Sequence, residues 1–273
     1  MKLREYQEKI AVQAACKLAS FGCCYLSMEC RTGKTITALH AADAFKAQSV
    51  LFISKLKAIP SVRTDYEALK PSFKMEAVNY ESVHKVFGKY DLIIIDEAHA
   101  LGAYPKPSKR TLEIKRICDG LPVLYLSGTP SPESYSQLYH QFWVCSFSPW
   151  KEYKTFYKWA KEYVAVRQKK VNGYLVNDYS HADKFKIDRD TEKLFIPYSQ
   201  KEAGFEIDIH ETVLEVPMKQ ITRHLIHTLR TNLVTEIDGN AVLGDSPAKL
   251  LTKLHQLSSG TVIAENGLHL TFD

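Results

Sequence analysis

The chain reads as an α/β protein built on a mainly parallel sheet flanked by helices. Three observations carry that reading. Short apolar runs recur along the first half, amphipathic segments of helical length lie between them, and ligand-suited loop residues follow directly on three of the runs.

Residues 6–18 place apolar side chains at helical spacing, and the run 23–26 after them has the length of a strand. The alternation continues. Strands are predicted over 50–53, 77–78, 92–95 and 123–126, with helices over 34–45, 59–69, 81–86, 111–119 and 134–143. In sheets wound this way ligands gather at the carboxyl ends of the strands, so the loops after 26, 95 and 126 are expected to share one cleft. After Phe147-Ser148-Pro149 the composition turns basic and aromatic. Trp150, Tyr153, Phe156, Tyr157, Ala160, Tyr163 and Val164 recur at helical spacing and predict a helix with one apolar face. Val171-Asn172-Gly173-Tyr174 reads as a turn between short extended pieces, and residues 180–217 are mixed. Helices are predicted over 219–233 and 247–257, separated by a polar loop at Asp238-Gly239-Asn240. These breaks divide the chain into 1–147, a basic aromatic accessory region 148–217, and a helical segment 218–273.

With 273 residues, 45% hydrophobic and 25% charged, the chain can bury a large core, which excludes global disorder. A net charge of +5 permits a polyanionic partner without requiring one. The six cysteines form no CxxC pair and are read as reduced and structural. No leader-like apolar segment occurs at the start, and no run approaches the ~18 apolar residues of a membrane span, so a cytoplasmic protein with no membrane partner is expected.

Thr32-Gly33-Lys34-Thr35 lies between a predicted strand and a predicted helix, the context in which such a loop cradles phosphates. Gly33 lets the backbone approach the ligand, with Arg31 and Thr32 beside it in the loop. Lys34 is suited to neutralise the β and γ oxygens of ATP, and the Thr35 hydroxyl to meet Mg2+. Arg31 stands where the GxGKT pattern has its first glycine, a departure that bears on the loop conformation. Asp96-Glu97-Ala98-His99 ends the strand 92–95. Asp96 is expected to hold the metal, Glu97 to polarise the attacking water, and His99 to couple the site to its neighbours. Ser127, Gly128 and Thr129 suit a relay that senses the γ-phosphate. Lys34, Asp96 and Glu97 are thus the expected catalytic set.

These blocks resemble the first RecA-like lobe of superfamily 2 helicases, most closely the Swi2/Snf2 branch, including versions encoded by tailed phages. Leu3-Arg4-Glu5-Tyr6-Gln7 resembles the adenine-recognition motif, which implies that Gln7 reads the adenine edge. Residues 28–35 resemble motif I, Leu51-Phe52-Ile53-Ser54-Lys55 motif Ia, Val78-Asn79-Tyr80-Glu81-Ser82 motif Ib, 96–99 motif II and 126–130 motif III, in family order. The resemblance implies a RecA-like P-loop NTPase lobe over 1–147, and a host-cytoplasmic location if the chain is phage-encoded. Residues 138–147 resemble the helix that closes the first lobe, and 248–260 the entry to the second. Nothing after Gly260 resembles motifs IV to VI. The resemblance therefore implies half of a motor, with a second RecA-like lobe as partner in cis or in trans. That lobe would supply an arginine finger worth roughly 10³ to 10⁵ in rate, so weak ATP binding and poor hydrolysis are expected of the chain alone.

A motor of this kind grips the DNA backbone rather than reading bases, with duplex favoured. The resemblance and the loop positions nominate Lys55, Lys57, Arg63, Tyr80, Ser82, Lys106, Lys109 and Arg110 as DNA contacts. A basic arm from Lys154, Lys158, Lys161, Arg167, Lys169 and Lys170 is a further candidate, against packing of its aromatics on the lobe. The leading expectation is an ATP-dependent DNA translocase or helicase. The alternatives are a nucleotide-switched DNA- or partner-binding module without productive turnover, and a small-molecule P-loop enzyme such as a nucleotide kinase. The acidic tetrad together with Ser127-Gly128-Thr129 disfavours the last.

Overall fold

The alternating runs fold as wound layers. In the computed structural model, which describes residues 3–171, 174–205, 211–213, 215 and 217–272, the elements follow in the order α1 (Glu5–Phe21), β1 (Cys23–Met28), α2 (Lys34–Ala44), β2 (Ser49–Ser54), α3 (Ile59–Leu69), β3 (Lys74–Asn79), β4 (Leu92–Asp96), α4 (Lys109–Ile117) and β5 (Val123–Leu126). They continue with α5 (Gln137–Trp143), α6 (Phe156–Tyr163), β6 (Arg167–Val171), β7 (Tyr174–Asp178), α7 (Lys184–Thr191) and β8 (Phe195–Tyr198). Six strands form one sheet in the order β3-β2-β4-β5-β1-β8, and every pairing in it is parallel. The expected strands are all present. The predicted helix over 81–86 is instead a 3-10 turn, Tyr80–Lys85, because the Asn79 side chain accepts the Ser82 amide at 2.8 Å and tightens the backbone there.

Side chains alternate across a strand, so each strand feeds two cores. Cys24, Leu26, Val50, Phe52, Leu92, Ile94, Leu124 and Leu126 face α1, α2 and α3, where Ala11, Ala14, Ala38, Ala41 and Ala42 keep the helix layer thin. Tyr25, Leu51, Ile53, Ile93, Ile95, Val123 and Tyr125 face the other way, onto Phe142, Trp150, Phe156 and Trp159. One row across the sheet pairs Tyr125 with Tyr25 and Tyr25 with Phe195, with ring centroids 5.4 and 4.6 Å apart.

The chain divides into units Met1–Ile207 and Asp208–Asp273, not at 147 and 217. Two facts integrate most of the basic aromatic region into the first unit. Strand β8 pairs with β1, and Trp150, Phe156 and Trp159 lie at most 2% exposed in the aromatic core. The aromatic stripe is helical only from Phe156, where the Thr155 hydroxyl accepts the Lys158 amide at 3.4 Å and caps the helix. Strands β6 and β7 form an antiparallel hairpin. The centre of the turn expected between them, Asn172 and Gly173, lies outside the described residues.

The second unit contains α8 (Gln220–Asn232), β9 (Val234–Ile237), β10 (Asn240–Leu243), α9 (Pro247–Ser258), β11 (Thr261–Ile263) and β12 (His269–Thr271). Both predicted helices are present, but the segment is not helical alone. Asp238 and Gly239 take φ of 48° and 75°, the left-handed pair that closes a two-residue hairpin between β9 and β10. Leu225, Leu229, Ile237, Val242, Leu257 and Val262 form its core.

Candidate functional site

Strand register brings the chemistry to one edge. Asp96 of β4 is aligned with Leu126 of β5, and Leu126 with Leu26 of β1, two residues before β1 ends, so the loops that follow these three strands leave from the same edge of the sheet. Asp96 shares the strand parity of Leu92 and Ile94, which face the thin helix layer. Its carboxylate is therefore directed to the side on which α2 begins.

Helix α2 starts at Lys34 immediately after Gly33, whose φ of 81° needs glycine's freedom. Arg31 also takes a positive φ, 64°, so it adopts the left-handed backbone that a glycine would take at that position. The loop is held from several sides. The Thr32 hydroxyl donates to the Glu29 carbonyl at 2.6 Å, and Lys34 Nζ reaches the same oxygen at 3.2 Å. Gln7 is buried, with Nε2 donating to the Thr32 carbonyl at 3.3 Å and Oε1 accepting the Arg4 amide at 3.0 Å. A Cβ on Gly33 would lie 2.2 Å from Gln7 Nε2, so Gln7 packs directly over the loop. The structure thus places Gln7, nominated for adenine, as a tie between α1 and the loop 29–35. Thr35 follows Lys34 in the first turn of α2, half-buried.

The acidic motif is anchored from three strands. Ser54, at the end of β2, donates its hydroxyl to Asp96 Oδ2 at 2.7 Å, and the Glu97 amide donates to Oδ1 at 3.0 Å. Burial pushes the Asp96 carboxyl above the usual carboxylate range and the charge of Glu97 adds to the rise, while the Ser54 hydrogen bond and the Lys34 charge oppose it. The Lys34 charge is thus felt at the acidic motif. His99 Nδ1 lies 2.9 Å from Ser127 Oγ and 3.3 Å from Glu97 Oε2, and Ser127 Oγ accepts the Thr129 amide at 3.1 Å. A Cβ on Gly128 would sit 3.7 Å from Lys34 Nζ, so the third loop abuts the first. The sequence-nominated residues Lys34, Asp96, Glu97, His99, Ser127 and Gly128 are therefore brought together.

The nominated DNA contacts divide. Lys55, Lys57, Lys106 and Lys109 are exposed, and Arg63, also exposed, directs Nη2 to the Ala77 carbonyl at 3.5 Å. Tyr80 is 4% exposed and donates its hydroxyl to the Asp96 carbonyl at 2.5 Å, which is a buried role rather than a surface contact. Ser82 is half-buried, its amide bonded to Asn79. Arg110 pairs with Glu81 at 2.8 Å.

Several contributors carried no nomination from the sequence. Ser54 is one, although its position at a strand end in the row of Asp96 is a usable signal. The others come from far along the chain. The Glu29 amide donates to the Tyr198 carbonyl at 2.9 Å, and Gln200 donates from its amide to Glu29 Oε2 at 2.7 Å and from Nε2 to the Cys30 carbonyl at 3.0 Å. Tyr198 stacks on Tyr6 with centroids 4.6 Å apart, and Tyr6 donates its hydroxyl to the Thr32 carbonyl at 2.9 Å. Of the cysteines, Cys16 and Cys30 are exposed and the other four buried, all as free thiols. No described helix is long and apolar enough to cross a membrane.

The donor set fits a triphosphate with a hard divalent ion. Backbone at positive φ, a helix N-terminus and Lys34 face one side, and the largely buried Asp96 carboxylate faces the other. Among the described residues no group of three or more His, Cys, Asp or Glu side chains could hold a metal, so an ion here would depend on Asp96, Thr35 and substrate oxygens. No protein-family model and no curated protein matches the chain.

Proposed function

We propose that the first unit is a RecA-like P-loop NTPase lobe and that the protein is an ATP-dependent DNA translocase or helicase of the Swi2/Snf2-like type. The observation that carries this reading is the meeting of Lys34, Asp96 and Glu97 at the carboxyl edge of neighbouring strands, with the His99–Ser127 contact beside them. In this reading Lys34 and the loop amides bind the β- and γ-phosphates, and Glu97 orients the attacking water and accepts its proton. Mg2+, held by Asp96 and Thr35, would neutralise charge on the phosphate oxygens. His99 and Ser127 connect the hydrolytic edge to the loop that senses the γ-phosphate. A second RecA-like lobe, in cis or in trans, would complete the ATP site. Lys55, Lys57, Lys109 and Arg110 would hold duplex DNA through its backbone, which makes binding salt-dependent.

Two substitutions test the reading. Lys34→Ala is expected to weaken ATP binding, measured by titration with a fluorescent ATP analogue. Glu97→Gln should retain that binding and lose turnover by roughly 10² or more in the presence of duplex DNA and the second lobe. Unchanged ATP affinity in the first variant removes the phosphate-loop assignment, and normal turnover in the second removes Glu97 as the catalytic carboxylate.

A further inference from the structure

Glu97 takes a positive φ of 52°, a conformation that an L residue holds only when its surroundings fix it. The peptide planes on either side of it carry the Asp96 and Glu97 carbonyls. A single buried group reaches both: the Tyr80 hydroxyl lies 2.5 Å from the Asp96 oxygen and 3.3 Å from the Glu97 oxygen. A donor that engages both flanking planes restrains both backbone torsions of Glu97, and with them the direction of its carboxylate.

The other end of the same side chain meets the surface. The Arg110 guanidinium sits over the Tyr80 ring, 5.1 Å from its centroid, while Nη2 bonds Glu81 at 2.8 Å. Tyr80, Glu81, His84, Lys109 and Arg110 line an open cavity of about 600 Å³. One residue therefore spans from a surface cation to the backbone of the acidic motif.

We infer that Tyr80 is a positioning residue that sets the direction of the Glu97 carboxylate and links it to the Arg110–Glu81 pair at the surface. This rests on the ATPase reading above and specifies how nucleic acid regulates that site. A backbone phosphate that draws Arg110 from Glu81 also draws it from the Tyr80 ring, whose hydroxyl is fixed on Asp96 and Glu97.

Tyr80→Phe keeps the ring and its packing and removes only the donor. With the second lobe present in cis or in trans, single-turnover hydrolysis of Mg-ATP is expected to slow about ten-fold, the scale of one hydrogen bond. ATP affinity and duplex-DNA affinity, the latter by fluorescence anisotropy, should stay within about two-fold, and stimulation by DNA should shrink towards none. Equal hydrolysis rates in variant and wild type overturn the inference, as does a slowing matched by lost ATP affinity, which marks a merely structural tyrosine. Arg110→Gln reads the surface end without a buried change: the DNA stimulation is expected to fall more than DNA affinity, and an unchanged stimulation ratio overturns the link. A wild-type protein that neither binds nor hydrolyses ATP sinks the ATPase reading itself and this inference with it, an outcome distinct from equal rates in an active pair.

Discussion

The two faces of the central sheet are built from different stock. The face towards α1 and α2 is mainly aliphatic, and the helices that cover it bury the small side chains of Ala11, Ala14, Ala38, Ala41 and Ala42. The face towards α5 and α6 is aromatic, with Tyr125, Tyr139, Phe142, Phe156 and Trp159 buried. Small residues let helices approach closely, which fixes where α2 begins and hence where Lys34 stands. Large rings bury far more area per residue and carry stability. The difference teaches that the side carrying the proposed binding geometry and the side carrying most of the ring burial are opposite sides of the same strands.

Three measurements sharpen or break that contrast. The largest effect is expected from Trp159→Ala on the aromatic face, a loss of about 3–5 kcal/mol in urea unfolding with ATP affinity retained in the folded fraction. A cost below about 1 kcal/mol would show that this face does not carry the stability. Next, His140 on α5 is buried, and its Nδ1 donates to the Ala103 carbonyl at 2.6 Å. Burial pushes its pKa down from 6.5 to about 4. The unfolded chain therefore takes up the proton first as pH falls, so stability drops between pH 6.5 and 4, by up to about 3 kcal/mol. Unfolding at pH 7 and pH 4.5 should show this drop diminished in His140→Gln, and equal drops in both proteins would remove the assignment. The smallest stability change is expected from Ala38→Leu on the thin face, about 1–3 kcal/mol from overpacking. Ala38 lies one turn from Lys34, so this variant should lose more ATP affinity than Trp159→Ala; the reverse order would undo the contrast.

The thin face was the legible one. Continuous apolar runs such as Leu92-Ile93-Ile94-Ile95 admit little besides a buried strand, and Gly33-Lys34-Thr35 marks both the loop and the start of α2. The aromatic face was harder to assign. Trp150 and Phe156 read as one apolar stripe, with packing on the lobe standing against a basic arm, and Trp159, which falls outside that spacing, carried no signal, because nothing local says which surface these rings cover. Strand β8 was hidden for a related reason: Phe195-Ile196-Pro197-Tyr198 contains a proline, which sequence patterning demotes. In the fold β8 is an edge strand, the position where proline is tolerated. The nominated residues at 34, 96, 97, 99 and 127 were accessible because each follows a strand, whereas Tyr80's hydrogen bond to Asp96 and Gln200's to Glu29 depend on tertiary approach that spacing does not encode.

The pairing of β8 with β1 also orders events in time. Glu29 and Gln200 are 171 positions apart, yet the second supplies part of the outer wall of the loop that the first belongs to. A ribosome emits the loop 29–35 early and its buttress late. During that interval β1 presents an unguarded flank, the kind of margin that invites mispairing between nascent chains. The loop 29–35 thus gains its last supports only on the arrival of Tyr198 and Gln200, and a fragment that stops at residue 147 would keep the ties from Tyr6 and Gln7 but lack the outer ones.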